Sequence, residues 1–261
     1  MPVSSSNPPG PSLSREEKAR YRRQMIIPDI GEEGQRRLKA ARVCIVGLGG
    51  LGSISSMGLA AAGIGYLRVV DCDRVELGNL NRQFLHGTED VGRFKSDSAR
   101  DRLLALNPEI RIDGRNVEIT QENVQDIVGD CSLIVDGTDN LATRKALNRT
   151  AVQKGIPFVY GGVEGFEGMV TTIVPGRSPC LECLFPGEDR SANREIGVPG
   201  PMPGVVASLQ ALEAIKYLVG IGPALSGRLL LIRALGMSIH EMHVDRNPRC
   251  PVCGSMERNR E

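Results

Sequence analysis

The chain has 261 residues, enough for one large domain or two small ones. Hydrophobic residues make up 41% and charged residues 24%, which argues against a wholly disordered chain and against a coiled coil. With 32 basic and 31 acidic residues the net charge is +1, and that balance gives no electrostatic case for nucleic acid or a membrane surface as a partner. Residues 1–14 (MPVSSSNPPGPSLS) read as a disordered tail without the basic start and apolar stretch of a secretory signal. No apolar run is long enough to cross a bilayer, so a cytoplasmic protein is expected. Residues 15–24 read as a charged helix. The spacing then predicts strands at 42–46 and 66–70, with a helix of small residues at 51–62 between them. An amphipathic helix follows at 95–106, stopped by Asn107-Pro108. Beyond it come a strand at 110–119, a helix at 121–128, a strand at 132–135, a helix at 141–154 and a strand at 156–160.

Strands alternating with helices imply right-handed βαβ units and a mostly parallel, doubly wound sheet. After residue 160 the alternation stops. Strands are expected at 168–174, 228–234 and 237–244, with one helix at 205–219, so the sheet continues in antiparallel fashion. Residues 185–204 hold four Pro and four Gly and read as a long irregular loop, the kind that is functional or mobile inside a compact domain. The expected organisation is a single domain over 15–254. Its nucleotide-binding part spans about 40–160, and its partner-binding and metal part about 161–254.

The sharpest local signal is Gly47-Leu48-Gly49-Gly50-Leu51-Gly52, which follows an apolar strand and opens a helix. Such a turn brings backbone close to a phosphate, and the helix N-terminus adds free N–H groups and the positive end of its dipole. Asp71 lies 24 positions after Gly47 at the end of the next strand, where a carboxylate can bond ribose hydroxyls. A nicotinamide-dependent oxidoreductase would show the same pattern. The stretch Asp73 to His86 (DRVELGNLNRQFLH) separates the two, because it sets Asn79 and Arg82 one helical turn apart, with Lys95 opening the next helix. Hydride transfer needs no such cations, whereas adenylation does. A carboxylate attacking the α-phosphate of ATP brings two anions together, and Arg, Lys and Mg²⁺ offset that repulsion. No general base is needed, since the carboxylate is already ionised. Asp139, in Asp136-Gly137-Thr138-Asp139-Asn140, suits Mg²⁺ at a strand's C-terminal end. The same spacing suits a helix N-cap by Asp139 or Asn140, and spacing alone leaves both open.

Cys180-Leu181-Glu182-Cys183 and Cys250-Pro251-Val252-Cys253 form two CxxC pairs, about 66 residues apart. Four thiolates make a closed tetrahedral Zn²⁺ site with no open coordination position, so the expected role is structural, pinning the end of the chain to its middle. Cys44, Cys72 and Cys131 read as core thiols, and His86 as structural.

Gly47 to Gly52, Asp71, Asn79 to Gln83 (NLNRQ), Lys95 and Thr138-Asp139-Asn140 resemble the ThiF/MoeB/HesA family of adenylyltransferases, relatives of the ubiquitin-activating enzymes. The likeness runs from about Tyr21 to Gly254. It implies nucleotide contacts from Gly47, Gly49, Gly50, Gly52, Asp73, Gln83 and Asn140, a ribose contact from Asp71, phosphate contacts from Asn79, Arg82 and Lys95, and magnesium at Asp139. It implies that Arg23 reaches the partner subunit's ATP site in a homodimer; without the resemblance, Tyr21-Arg22-Arg23-Gln24 reads as a solvated basic helix end. The implied substrate is the C-terminal glycine carboxylate of a ubiquitin-like sulfur carrier, activated as an acyl-adenylate for molybdopterin or thiamine biosynthesis. Many relatives carry a loop cysteine for thioester or persulfide chemistry, but here Asn193 occupies the matching position. No separate sulfurtransferase domain follows Gly254, so an external sulfur donor is expected. The alternatives are adenylation of another carboxylate (a modified tRNA base or a peptide), a nicotinamide-dependent oxidoreductase, and a zinc-stabilised module that holds ATP without turnover.

Overall fold

The computed structural model describes residues 10–187 and 197–256. Eight strands form one sheet in the order β3-β2-β1-β4-β5-β6-β7-β8. They are β1 (Arg42–Val46), β2 (Tyr66–Val70), β3 (Arg111–Arg115), β4 (Leu133–Asp136), β5 (Phe158–Glu164), β6 (Glu167–Ile173), β7 (Arg228–Arg233) and β8 (Ser238–His243). From β3 to β5 every neighbour is parallel, and from β5 to β8 every neighbour is antiparallel. The chain is therefore the doubly wound sheet with antiparallel continuation that the alternation of elements predicts.

Alternation along β1 shows how the sequence builds both layers. Val43 and Ile45 turn to one face, where they pack with Leu59 of α4 (Gly50–Ala62), Leu103 of α5 (Lys95–Leu106) and Ala214 of α9 (Pro201–Val219). Cys44 and Val46 turn to the other, toward Val128 of α6 (Val124–Val128), Leu147 of α7 (Leu141–Lys154) and Leu181 of α8 (Leu181–Leu184). Cys44 and Cys131 are buried as expected, but Cys72 is no core thiol: it lies two residues past the end of β2 and is exposed.

Several boundaries differ from the sequence reading. The helix expected at 15–24 is broken into α1 (Arg15–Arg20) and α2 (Arg22–Met25). Tyr21 leaves the helix because its ring is buried and its hydroxyl accepts a 2.8 Å hydrogen bond from Asn107 Nδ2. Helix α3 (Gly31–Ala40) has no counterpart in the sequence reading: its buried face holds Gly34, Gln35 and Leu38, too polar to give an apolar stripe. Helix α6 starts three residues later than expected, because Asn123 Oδ1 accepts from Thr120 N–H and closes a turn there. Strand β3 ends at Arg115, well short of residue 119. Strand β5 runs on to Glu164, held by its hairpin partner β6. Helix α9 starts at Pro201, so the irregular segment ends four residues earlier than expected; proline at the first position of a helix forfeits no hydrogen bond. Asn193 lies outside the described residues. Among the described residues, no helix is long and apolar enough to cross a membrane.

Candidate active site

In an open parallel sheet, ligands bind beyond the carboxyl ends of the strands where the strand order reverses. Here that point lies between β1 and β4. The two strand ends are bound together, with Gly137 N–H donating to Val46 O at 2.7 Å. The turn after β1 requires glycine twice. Gly47 has φ +86°, and a Cβ on Gly52 would lie 1.8 Å from Gly47 O. Only a chain without side chains at these places lets α4 start directly behind the crevice, with its N-terminal N–H groups facing outward.

Asp71, just past β2, holds this turn from the side. Its carboxylate accepts from Leu48 N–H at 2.7 Å and from Asp73 N–H at 2.8 Å. Burial raises its pKa, against the pull of Lys95 and the two N–H groups. His86 supports the turn from below. Its Nε2 lies 3.3 Å from Leu48 O, so Nε2 carries the proton and Nδ1 accepts from Ser98 Oγ at 2.9 Å. Burial lowers the His86 pKa and keeps the ring neutral. Lys95, the first residue of α5, is buried, and its Nζ donates to the exposed carboxylate of Asp73 at 2.9 Å.

Asn79 ends a short 3₁₀ helix (Leu77–Asn79), and Leu80 to Arg82 continue as turns. Asn79 Oδ1 accepts from Glu76 N–H at 3.2 Å, and Arg82 donates to Gly78 O at 2.8 Å and to Asn81 Oδ1 at 2.9 Å. Gln83 is buried beside Gly49, and its Oε1 has no hydrogen-bond partner among the described residues.

Asn140 is the N-cap of α7, its Oδ1 accepting from Thr143 N–H at 2.8 Å. Asp139 takes no part in the cap and is exposed. The structure thus gives the two residues separate places, which spacing alone left open. Arg23 lines a different surface. It borders a groove of about 660 Å³ together with Ile54 and Met57 of α4 and Leu212 and Ile215 of α9.

Two features escaped the sequence reading. Asp136 is fully buried and ion-paired to Arg144 of α7 at 2.9 Å. Gln210 of α9, also buried, donates to Asp136 O at 2.7 Å. Gln210 lies 74 residues away on α9, and Arg144, eight residues on, reaches back from the helix that follows β4.

The four cysteines of the CxxC pairs converge, their Sγ atoms all within 4.8 Å of one another. Sγ separations are 4.0 Å for Cys180–Cys183, 3.6 Å for Cys180–Cys250 and 3.5 Å for Cys183–Cys253. A tetrahedral ion with thiolate bonds of about 2.3 Å needs edges of about 3.8 Å, so the cluster fits one. Without a cation, burial pushes the Cys180 thiol up strongly and Cys183 up to about 11. As thiolates the four sulfurs repel one another at these distances, and a bound cation offsets that repulsion. Asn148 of α7 accepts from Leu181 N–H at 2.9 Å and fixes the first knuckle.

This crevice and fold define a nucleotide-binding protein of the doubly wound α/β class. The ThiF family matches residues 21–252, and the chain belongs to that family. It is 47% identical over 258 residues to the sulfur carrier protein adenylyltransferase of Thermus thermophilus, covering 95% of each chain. It is 42% identical over 245 residues to the molybdopterin-synthase adenylyltransferase of Escherichia coli, covering 93% of this chain and 98% of the relative. Among solved structures, E. coli MccB with ATP matches with a TM-score of 0.81 and 27% identity, covering 90% of this chain and 75% of that one.

Proposed function

We propose that the protein is an adenylyltransferase that activates the C-terminal glycine carboxylate of a ubiquitin-like sulfur carrier as an acyl-adenylate, releasing pyrophosphate. One observation carries the reading: the glycine turn, Asp71, Asp73 and Lys95 are linked in that order by hydrogen bonds at a single crevice, and Asp139 follows β4, whose end is bonded to the end of β1. The names of the T. thermophilus and E. coli relatives support the substrate class.

In this reading the α4 N-terminus and the Gly47–Gly52 turn receive the phosphates, and Asp71 meets the ribose. Arg82 and Lys95 exchange their present oxygen partners for phosphate oxygens, which places cations where the pyrophosphate charge grows. The attacking group is already a carboxylate and needs no base, consistent with a neutral His86 turned away into the scaffold. Asp139 would hold Mg²⁺, which neutralises charge on the leaving group when bound. A Gly-Gly tail is narrow enough to thread such a crevice. Zn²⁺ is the metal that four thiolates favour, in a structural role. Arg23 and the apolar groove beside it fit a homodimer in which Arg23 reaches the partner's nucleotide, and an external donor supplies the sulfur. We assign the activated carrier to molybdopterin or thiamine biosynthesis, in the cytoplasm.

ATP–pyrophosphate exchange tests the reading. Exchange is expected only when a carrier with an intact glycine tail is present. Exchange without any carrier, or its absence with every carrier from the same cell, contradicts it. Asp139→Ala should abolish exchange and leave the circular dichroism spectrum unchanged.

A further inference from the structure

Thr138 is the residue immediately before Asp139, and every polar atom it owns is tied. Its N–H donates to Asp136 Oδ1 at 2.9 Å and its hydroxyl to the same oxygen at 2.7 Å. Its carbonyl accepts from the Arg144 guanidinium at 2.6 Å. The same guanidinium pairs with Asp136 Oδ2 at 2.9 Å and reaches Gly161 O on β5 at 3.0 Å. From α9, Gln210 Nε2 donates to Asp136 O at 2.7 Å and to Val159 O at 3.3 Å.

These bonds sit where β4 and β5 part. The two strands pair only at Ile134↔Phe158 and Val135↔Val159, so the β4–β5 ladder does not reach Asp136 or Gly161. Arg144 and Gln210 occupy the gap. Gly161 leaves room for this, since a Cβ there would lie 2.6 Å from the Gln210 amide carbon. Asp136 is the costly part, a carboxylate without solvent in a place where an apolar residue would pack at less expense. A buried ion pair of this kind adds little net stability. The geometry fixed here is that of one residue, and Asp139 is the next.

We infer that Asp136, Arg144 and Gln210 form a positioning clamp that acts through Thr138 to set the Asp139 carboxylate at the divalent cation accompanying ATP. The inference rests on the reading of Asp139 as the cation ligand. Groups that orient a ligand in this way affect metal affinity by about tenfold or more when removed.

The test is Mn²⁺ affinity, measured by electron paramagnetic resonance on the full chain saturated with a non-hydrolysable ATP analogue, with thermal unfolding run alongside. Thr138→Val keeps the side-chain shape and removes the hydroxyl; it should weaken Mn²⁺ binding about tenfold. Analogue binding without metal should stay unchanged. Thr138→Ser keeps the hydroxyl and should bind Mn²⁺ like the parent. Asp139→Asn serves as the reference. If Asp139→Asn weakens Mn²⁺ and Thr138→Val does not, the clamp is structural only and the inference is overturned, whatever the unfolding midpoint does. If Asp139→Asn leaves Mn²⁺ affinity intact, Asp139 is not the ligand, and both the reading and the inference fall.

Discussion

The Asp71 carboxylate shows how one residue can serve the scaffold and the ligand together. It receives two backbone N–H groups from the nucleotide turn, and burial lifts its pKa above the ordinary 3.8. A raised carboxyl pKa means the folded state binds the proton more tightly than the unfolded chain. Its contribution to stability is thus present at acid pH and lost as the pH rises through the raised value. Function runs the other way. A protonated Asp71 accepts poorly from Leu48 and Asp73, so the turn loosens. ATP affinity should fall on acidification with a midpoint above 3.8, while the fold persists. Calorimetric titration with ATP between neutral pH and the acid unfolding limit checks this, and a flat affinity would contradict it. This residue was legible in the sequence because strand, turn and acid follow in fixed order. Gln210 beside Asp136 was not, because α9 is brought to β4 only by the fold, and Arg144, though eight residues from Asp136, reads as an ordinary exposed helix cation until its burial is seen.

Asp90 governs the segment that leads into α5. It is buried and accepts from Gly87 N–H, Arg93 and Arg102. Burial opposes its ionisation, but these donors win and lower its pKa to about 2. The sign is opposite to that of Asp71: stability is present above the ordinary value of 3.8 and lost as pH falls toward 2. Asp90→Asn should therefore cost about 2 kcal/mol at neutral pH. Urea unfolding as a function of pH should show the gap between parent and variant narrowing below pH 4 or so. A constant gap would mean that shape, not charge, holds the segment. At this scale the sequence was readable wherever apolar residues kept a period. Strands β1 and β2 and helices α5 and α7 have the bounds expected from it. Helix α3 was unreadable because Leu38 is the lone large apolar residue on its buried face. The start of α9 was hidden because Pro201, Pro203 and Gly204 look like loop until their place at a helix N-terminus is seen.

Across the whole molecule, α7 joins the two chemistries. Asn140 caps it, Arg144 grips the strand ends and Asn148 holds the metal knuckle, four residues apart in each step and so on one face. The cysteine clip closes the chain end against this helix, 70 residues from its first knuckle. Purified protein should carry one Zn²⁺ per chain by elemental analysis. Cys253→Ser should lose the metal and lower the thermal midpoint by roughly 10 °C. Full metal content in that variant would remove the four-thiolate assignment. The parallel half, the antiparallel half and the clip could all be anticipated from spacing; how they meet could not. The central claim, that the crevice makes a mixed anhydride from a carrier's terminal carboxylate, is tested most directly by intact mass spectrometry. The carrier is incubated with this protein, ATP and Mg²⁺ and quenched in acid. The account predicts a carrier heavier by one adenylyl group, absent when its last glycine is deleted. A carrier of unchanged mass while ATP is consumed would contradict it.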